Sequence, residues 1–416
     1  MLKKLSLLIK VIINSEILFK NPPKKELLIF DSTSIWLIKK PILKYFNYYV
    51  YEDRGYLIKK IYISFDIIKH VLLNYNYGLK NAYAIAIIKL VNPKLILTVI
   101  NESINFLNLA KILDKDFNFL WLQIASHCYR INEKFYLKKS RGVNIHSYLV
   151  PHILLFSDYD RMNFKKIPEI QIRKSDVVGS IRLEIFKKRL SEKKFLPFQK
   201  KYDICLLSEI GAMEIETKKN DYNFIKLIKF VTRYSKEKNL KIVFALKRNK
   251  PNKNQLSKSN AVFSSYYQEQ NWYKKNLNES DYQFIKTKFK NQDYFSSYVA
   301  AAESRLVIAT MSTLLRELFS MKKKILACNF TSNKIYDFPI KGISSINFDC
   351  RYSFFKKRMD KIFNISTKEY FRLSKFKKNY DLDVNQKNQS IKKILRIIDT
   401  YTRKNLKFPR GSKNII

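Results

Sequence analysis

Arg305-Leu306-Val307-Ile308-Ala309 is followed by Thr310-Met311-Ser312-Thr313, then by Leu314-Leu315-Arg316-Glu317-Leu318-Phe319 and by Lys324-Ile325-Leu326-Ala327-Cys328. The two short apolar runs predict strands buried on both faces, and the segment onward to Phe319 predicts a helix. Strand, turn, helix and strand in this order form the repeating unit of a parallel α/β sheet. The turn is rich in hydroxyl residues, which cap helices. It also places backbone N–H groups at a helix end whose partial positive charge suits a phosphate. Glu317, four residues beyond Thr313, is placed to accept from sugar hydroxyls. The plainer alternative is a capped helix carrying an ordinary surface glutamate.

The same unit recurs in both directions from this stretch. Upstream, strands are predicted at Glu26–Phe30, Tyr48–Tyr51, Leu95–Ile100, Asn118–Gln123 and His152–Phe156, with a short extended piece at Ile61–Phe65. Helices are predicted at Ser34–Tyr45, Asp66–Leu90 and Ile104–Leu113. A second set begins with the strand Tyr202–Leu207, the helix Tyr222–Lys238 and the strand Lys241–Leu246. The polar stretch 249–264 reads as a loop, Asp293–Glu303 as a helix and Ile343–Phe348 as a last strand. The fold class is therefore α/β, with two doubly wound halves and basic C-terminal helices. The expected domains are 1–175, a linker over 176–200, a second domain over 201–350, and a basic helical region over 351–416.

The chain has 416 residues, with 80 Lys+Arg against 35 Asp+Glu and a net charge of +45. Hydrophobic residues make up 46%, including 27 Tyr and 30 Phe, which is enough to build cores and excludes general disorder. The charge first suggests nucleic acid or an anionic membrane. Lys, Asn, Ile, Phe and Tyr are over-used together, however, as an AT-rich coding sequence would produce. The basic residues run along the whole chain, and no helix-turn-helix, RNP or zinc signature accompanies them. One part stands out: residues 351–416 carry 19 Lys+Arg against 5 Asp+Glu. That region, with the N-terminal segment, is the expected contact with an anionic inner leaflet.

Cys128, Cys205, Cys328 and Cys350 are too scattered for a zinc site, and nothing in them demands an oxidising compartment. Met1–Lys20 begins with Lys3 and Lys4, is interrupted by Lys10 and Glu16, and lacks a small-residue cleavage site. It reads as an amphipathic helix, not a signal peptide. No uncharged apolar run is long enough to span a membrane. The expectation is a cytoplasmic chain, with a peripheral position at the inner face of the membrane as the variant.

Polar residues cluster after the predicted strands: Asp31-Ser32-Thr33, Asn101-Glu102-Ser103, Gln123, Ser126-His127, Ser208-Glu209, Lys247-Arg248 and Thr310–Thr313. Any α/β protein places caps and turn formers there, so one cluster alone reads as structural. Seven facing one cleft would be harder to dismiss as structural. Among them, Glu209, His127, Asp31 and Glu102 are the candidate catalytic groups, since imidazole and carboxylate serve as bases or nucleophiles. Gln123, Ser126, Ser208, Lys247, Arg248, Thr310, Ser312, Thr313 and Glu317 are the candidate binding groups. Glu214 and Glu216 share the loop of Glu209, and the sequence does not choose among the carboxylates.

The fingerprints GxGxxG, GxxxxGK[ST], HExxH and GxSxG are missing. Asp158-Tyr159-Asp160 has the letters of a metal-binding DxD triad but reads as a loop beside the linker. No metal is expected, because helix ends and basic side chains can stabilise a leaving phosphate.

Several stretches, in order, resemble the bacterial surface carbohydrate biosynthesis proteins, which are similar to two-lobed GT-B glycosyltransferases including β-Kdo transferases of capsule and O-antigen assembly. They are Leu28–Asp31, Pro93–Asn101, Phe119–Gln123, Val178–Arg182, Tyr202–Ser208 and Ser304–Asn329. The chain departs from the family at Ile124–His127, where a glycine-containing turn is common, and in offering Glu209, Glu214 and Glu216 where retaining members use an Asp. The resemblance implies a transferase moving a sugar, Kdo from CMP-Kdo among the options, from a nucleotide-sugar donor to a glycan or lipid-linked glycan. It implies no cofactor beyond that donor substrate. The first lobe would face the acceptor, the second would hold the nucleotide, and lobe closure would exclude water. The alternatives are a nucleotide-sugar epimerase of similar fold and a basic nucleic-acid-binding protein.

Overall fold

The computed structural model describes residues 11–54, 57–100, 103–125, 147–192, 200–209, 217–248, 260–290, 295–331, 333–375 and 389–403. The chain forms two compact units, one from Met1–Glu184 with Asp383–Ile416 and the other from Ile185–Leu382. Each contains a six-stranded sheet in which every pair of neighbours is parallel. This is the two-lobed α/β architecture that the alternation of apolar runs predicts.

The first sheet consists of β1 (Leu27–Phe30), β2 (Tyr48–Tyr51), β3 (Leu95–Thr98), β4 (Phe119–Leu122), β5 (Tyr148–Leu155) and β6 (Ile170–Val177), in the order β2-β1-β3-β4-β5-β6. β1, β3 and β4 are buried along their whole length, which explains their uninterrupted apolar sequences. Leu28, Phe30, Ile96, Phe119 and Trp121 join one core with residues of helices α1 (Phe65–Leu73), α2 (Leu79–Val91), α3 (Ile104–Leu113) and α4 (Asp158–Lys165).

The second sheet consists of β7 (Tyr202–Leu207), β8 (Ile242–Ala245), β9 (Phe289–Lys290), β10 (Ser304–Ala309), β11 (Lys324–Cys328) and β12 (Ser345–Ile346), in the order β9-β8-β7-β10-β11-β12. The chain winds outward from β7 through β8 and β9, then resumes on its other side with β10. The strand order thus reverses between β7 and β10, the topological switch point where open α/β sheets bind ligands. Helices α5 (Thr217–Glu237), α6 (Asn260–Asn276), α7 (Glu279–Lys286), α8 (Ser296–Ala302) and α9 (Thr313–Ser320) belong to this unit.

Several expectations need correction. Within Met1–Lys20, residues 1–10 lie outside the described residues, 11–13 are helical, and Glu16–Leu18 is a short strand paired in parallel with Lys60–Tyr62. The helix expected over Ser34–Tyr45 stops at Lys39, just before Pro41, and resumes as a single 3-10 turn at Leu43–Tyr45. The helix expected over Asp66–Leu90 breaks into α1 and α2 at Gly78, whose φ of 82° is outside the helical region. Asp158-Tyr159-Asp160 opens α4 and is not a loop, because Ser157 caps it by accepting from the Asp160 N–H. The half-exposed β6 and the helices α6 and α7 have no counterpart in the sequence reading. α6 begins at Asn260, inside the stretch read as a loop.

The region expected as a linker holds the end of β6, a turn at Gly179 (φ 85°) and the helix Ile181–Glu192. The basic C-terminal region is shared out between the units. The helices Tyr352–Asn364 and Thr367–Leu373 go with the second, whereas Ser390–Thr402 returns to the first and buries Ile391, Ile394, Leu395 and Ile398 at helical spacing. Among the described residues, no helix is long and apolar enough to cross a membrane.

Candidate functional site

In the second unit, Leu206 pairs with Ile308, so the turns after β7 and β10 leave the sheet side by side at the switch point. One turn begins with Ser208-Glu209 and the other is Thr310-Met311-Ser312-Thr313. Ser312 is the N-cap of α9 in extended geometry (φ −59°, ψ 136°), and its hydroxyl makes no cap bond. Thr310 and Thr313 are buried, while Ser312 stays partly exposed. The positive end of α9 therefore lies beside Ser312 at the sheet's carboxyl edge, where the Leu315 N–H donates to the Ser312 carbonyl at 3.0 Å.

Glu317 sits one turn inside α9 and is only 1% exposed. Its carboxylate accepts a hydrogen bond from the Tyr298 hydroxyl on α8. That inward orientation braces α9 against α8; a sugar hydroxyl would have to compete with Tyr298 for the same oxygen.

The residue that organises this edge is one the sequence reading missed. Glu269 on α6 is 2% exposed and accepts from the Ser208 hydroxyl at 2.5 Å, from the Tyr273 hydroxyl at 3.3 Å, and from the backbone N–H groups of Lys247 at 3.1 Å and Arg248 at 2.8 Å. One buried carboxylate thus ties the ends of β7 and β8 together, and in doing so draws the Ser208 hydroxyl inward. Burial, reinforced by the charges of Glu269 and Glu209, holds the Tyr273 phenol protonated far above its ordinary range. The Lys247 and Arg248 side chains project from the same tie and are exposed. Glu269 and Tyr273 are one helical turn apart, a spacing that places an acid and an aromatic on one face. A second brace joins α5 to the end of β11: Asn223 donates to the Cys328 carbonyl at 3.3 Å and accepts from the Phe330 N–H at 2.8 Å.

In the first unit, Asp31 ends β1 with φ 72°, a left-handed conformation uncommon for a side chain with a Cβ, and Ser34 repeats it at 73°. The Asp31 carboxylate is buried, pairs with Arg54 Nε at 2.9 Å and accepts from the Thr33 N–H at 2.8 Å. The neighbouring Glu52 accepts from the Ser32 N–H at 3.0 Å. Two carboxylates therefore hold a strained turn at the switch between β1 and β3, the kind of backbone found at binding and catalytic sites.

Gln123, at the end of β4, is 1% exposed. Its Oε1 accepts from the Phe156 N–H at 2.9 Å and its Nε2 donates to Asp160 at 3.4 Å, while Asp160 also accepts from the Ser157 hydroxyl at 2.6 Å. Gln123 is thus a brace between β4, the end of β5 and α4. The Ser157-x-x-Asp160 spacing is a capping signature visible in the sequence. Ser103 caps α3 by accepting from the Phe106 N–H. Glu102, Ser126 and His127, with Glu214 and Glu216, lie outside the described residues. Among the described residues, no group of three or more His, Cys, Asp or Glu is arranged to hold a metal ion.

No protein-family model matches the chain, and no curated protein matches it in sequence. Solved structures match it in fold. S. aureus MnaA, solved with UDP, is 11% identical with a TM-score of 0.50, over 91% of this chain and 97% of that one. The UDP-GlcNAc 2-epimerase from Neisseria meningitidis, bound to UDP-GlcNAc, is 11% identical with a TM-score of 0.49, over 90% and 99%. The wall teichoic acid polymerase TagF is 10% identical with a TM-score of 0.45, over 93% and 91%. At such identities the likeness to MnaA is one of fold, two parallel-sheet α/β lobes in one chain.

Proposed function

We propose that this chain is a glycosyltransferase that takes a sugar from a nucleotide donor and passes it to a surface polysaccharide or lipid-linked glycan. The observation that carries the reading is the pair of turns at the switch point of the second sheet. Donor phosphates are assigned to the positive end of α9, where Ser312, Thr313 and Thr310 add hydroxyls and Lys247 and Arg248 supply positive charge. Glu269 keeps those two backbone positions and Ser208 in register. Glu317, held by Tyr298, fixes the pitch of α9 under the nucleotide. Such prearranged donors stabilise a leaving nucleotide without reorganising during the reaction. Glu209, partly exposed beside this edge, is the candidate acid–base group of the second unit. Asp31, Glu102, Ser126 and His127 are assigned to the acceptor, with Gln123 serving as the internal brace of the strand ends. Activity at the cytoplasmic face of a membrane and the absence of a resident cofactor belong to the same proposal.

The fold likeness to a protein that holds UDP supports including uridine nucleotides with CMP-sugars among the donors to be tested. It equally favours the second reading, a nucleotide-sugar epimerase. A thermal-shift screen against nucleotide sugars tests both, since a ligand at 100 times its dissociation constant stabilises by about 2.7 kcal/mol. Stabilisation that Ser312→Ala weakens supports the site. Turnover of the sugar without any acceptor selects the epimerase, and acceptor-dependent release of nucleotide selects the transferase. A chain that no CMP- or UDP-sugar stabilises, and that Ser312→Ala and Glu317→Ala leave unchanged, overturns both.

A further inference from the structure

The first unit exposes large apolar side chains in one sequence-contiguous region. α1 buries only Ile67 fully, and its exposed residues include Phe65 (81%), Ile68 and Leu72 at the i, i+3, i+7 spacing of a single stripe. Leu73, Tyr75 and Leu79 continue the exposed apolar surface to the start of α2. An amphipathic helix normally turns such a stripe inward, and a contiguous apolar patch left in water marks a binding surface.

Beside the patch lies a cavity of about 840 Å³, within the size range of ligand sites. Leu79 belongs to both, so the two are continuous. Val50, Ile58, Ile61, Tyr83 and Ile87 give it largely apolar walls. Its polar lining includes Glu52, the residue that holds the Ser32 N–H next to Asp31, so the cavity reaches the strained turn at the carboxyl edge of the first sheet. The surroundings are basic: Lys20, Lys24, Lys59, Lys60, Lys69 and Lys80 stand against Glu16, Glu52, Asp53 and Asp66, with Lys60 paired to Glu16 at 3.9 Å and Lys80 to Asp53 at 2.9 Å, in a chain of net charge +45.

We propose that this face rests on an anionic lipid bilayer and that the cavity takes one hydrocarbon chain of a phosphate-bearing lipid. A hydrocarbon chain fills apolar walls without leaving a buried polar group unpaired. Exposed aromatic and aliphatic residues enter the headgroup boundary, and the lysines meet anionic headgroups. This deepens the transferase reading and rests on it only for the lipid's role: the acceptor is lipid-linked, with its chain held by the same unit that carries Asp31. The docking face is thereby the α1 surface, and the basic C-terminal region is not required for it.

Flotation of the full chain with vesicles of phosphatidylcholine, with and without phosphatidylglycerol, tests the face, and no nucleotide sugar need be present. The expected result is binding to the anionic vesicles that weakens with salt and falls at least tenfold in I68S/L72S, whose exposed positions leave the melting temperature unchanged. Calorimetric titration with dodecyl phosphate below its micelle concentration tests the cavity. Ile61→Trp should weaken that binding at least tenfold, inorganic phosphate should give no binding heat there, and Leu79→Trp serves if Ile61→Trp does not fold. The proposal fails if the wild type ignores anionic vesicles, if I68S/L72S floats equally well, or if dodecyl phosphate binds the tryptophan variant as tightly as the wild type. It also fails if the chain is a dimer that I68S/L72S converts to a monomer, since the face then belongs to a second copy. A silent nucleotide-sugar screen with positive flotation overturns the transferase reading alone.

Discussion

His152 of β5 places its Nδ1 2.8 Å from the hydroxyl of Tyr401, on the helix Ser390–Thr402. Its Nε2 lies 2.7 Å from Asp176 Oδ2 on β6. The neutral ring satisfies both, donating to the carboxylate and accepting from the phenol. Burial lowers the pKa below the ordinary imidazole value, and the hydrogen bond to Asp176 only partly opposes this.

With the folded pKa below the unfolded value of about 6.5, the unfolded chain binds more protons as pH falls through that value, so stability is lost on the acid side. Denaturant unfolding between pH 5 and 8 should show this loss, and His152→Gln should flatten it. Tyr401→Phe leaves the ring nitrogen unpaired in a buried position and should reduce stability at pH 7 by about 1–3 kcal/mol. Equal acid slopes for wild type and His152→Gln would remove His152 as the cause.

Glu269→Ala withdraws one acceptor from four donors at the edge of the second sheet. The expected outcome is a loss of about 3 kcal/mol in denaturant unfolding, together with loss of any nucleotide-sugar stabilisation. Tyr273→Phe removes a hydroxyl that bonds both Glu269 and Ser208 and should cost about 1–2 kcal/mol. Retained donor binding in a folded Glu269→Ala protein would show that the Lys247–Arg248 tie does not shape the site.

Asp31 combines a left-handed backbone with a buried carboxylate paired to the partly exposed Arg54, and two substitutions separate these roles. Asp31→Gly relieves the backbone and deletes the carboxylate, whereas Asp31→Ala deletes it and retains the strain, worth about 1 kcal/mol or more. Asp31→Ala should therefore melt below Asp31→Gly. If the carboxylate serves the acceptor, both lose transfer activity by more than tenfold to a similar extent, as an acceptor-dependent assay of nucleotide release would record.

Cys205 and Cys328 are fully buried, and burial pushes the Cys205 thiol up to about 12. Because the thiolate is the reactive form, both should resist iodoacetamide at pH 8 in the native protein and label fully in denaturant. Mass spectrometry of the labelled peptides reads this directly. Rapid native labelling of Cys205 would mean that β7 opens far more often than a central strand should.

Much of the fold was legible because buried parallel strands leave uninterrupted apolar runs: Lys324–Cys328 and Ile104–Leu113 have the bounds their sequences suggest. β6 was not, since Ile-Gln-Ile-Arg-Lys-Ser-Asp-Val is half exposed and carries only a weak alternation. α6 was hidden by a polar approach, and with it Glu269, three of whose four partners lie 21 to 61 residues away in sequence. The positions of the candidate residues at strand ends were readable, because polar residues interrupt apolar runs there. Their orientation was not. Gln123 and Glu317 look like surface groups in sequence, and only tertiary packing turns them inward against Asp160 and Tyr298.

The return of Ser390–Thr402 to the first unit has a consequence for synthesis. A ribosome completes Ile185–Leu382 before it has made the helix that covers part of the first sheet. The second unit can fold while still tethered, whereas the first holds an uncovered apolar surface until Ser390–Thr402 has emerged. A premature stop a few codons before Ser390 therefore leaves the second unit intact and strands the first without Ile391, Ile394, Leu395 and Ile398. Such nascent chains should need holding by a chaperone, although all six strands of both sheets have already been made.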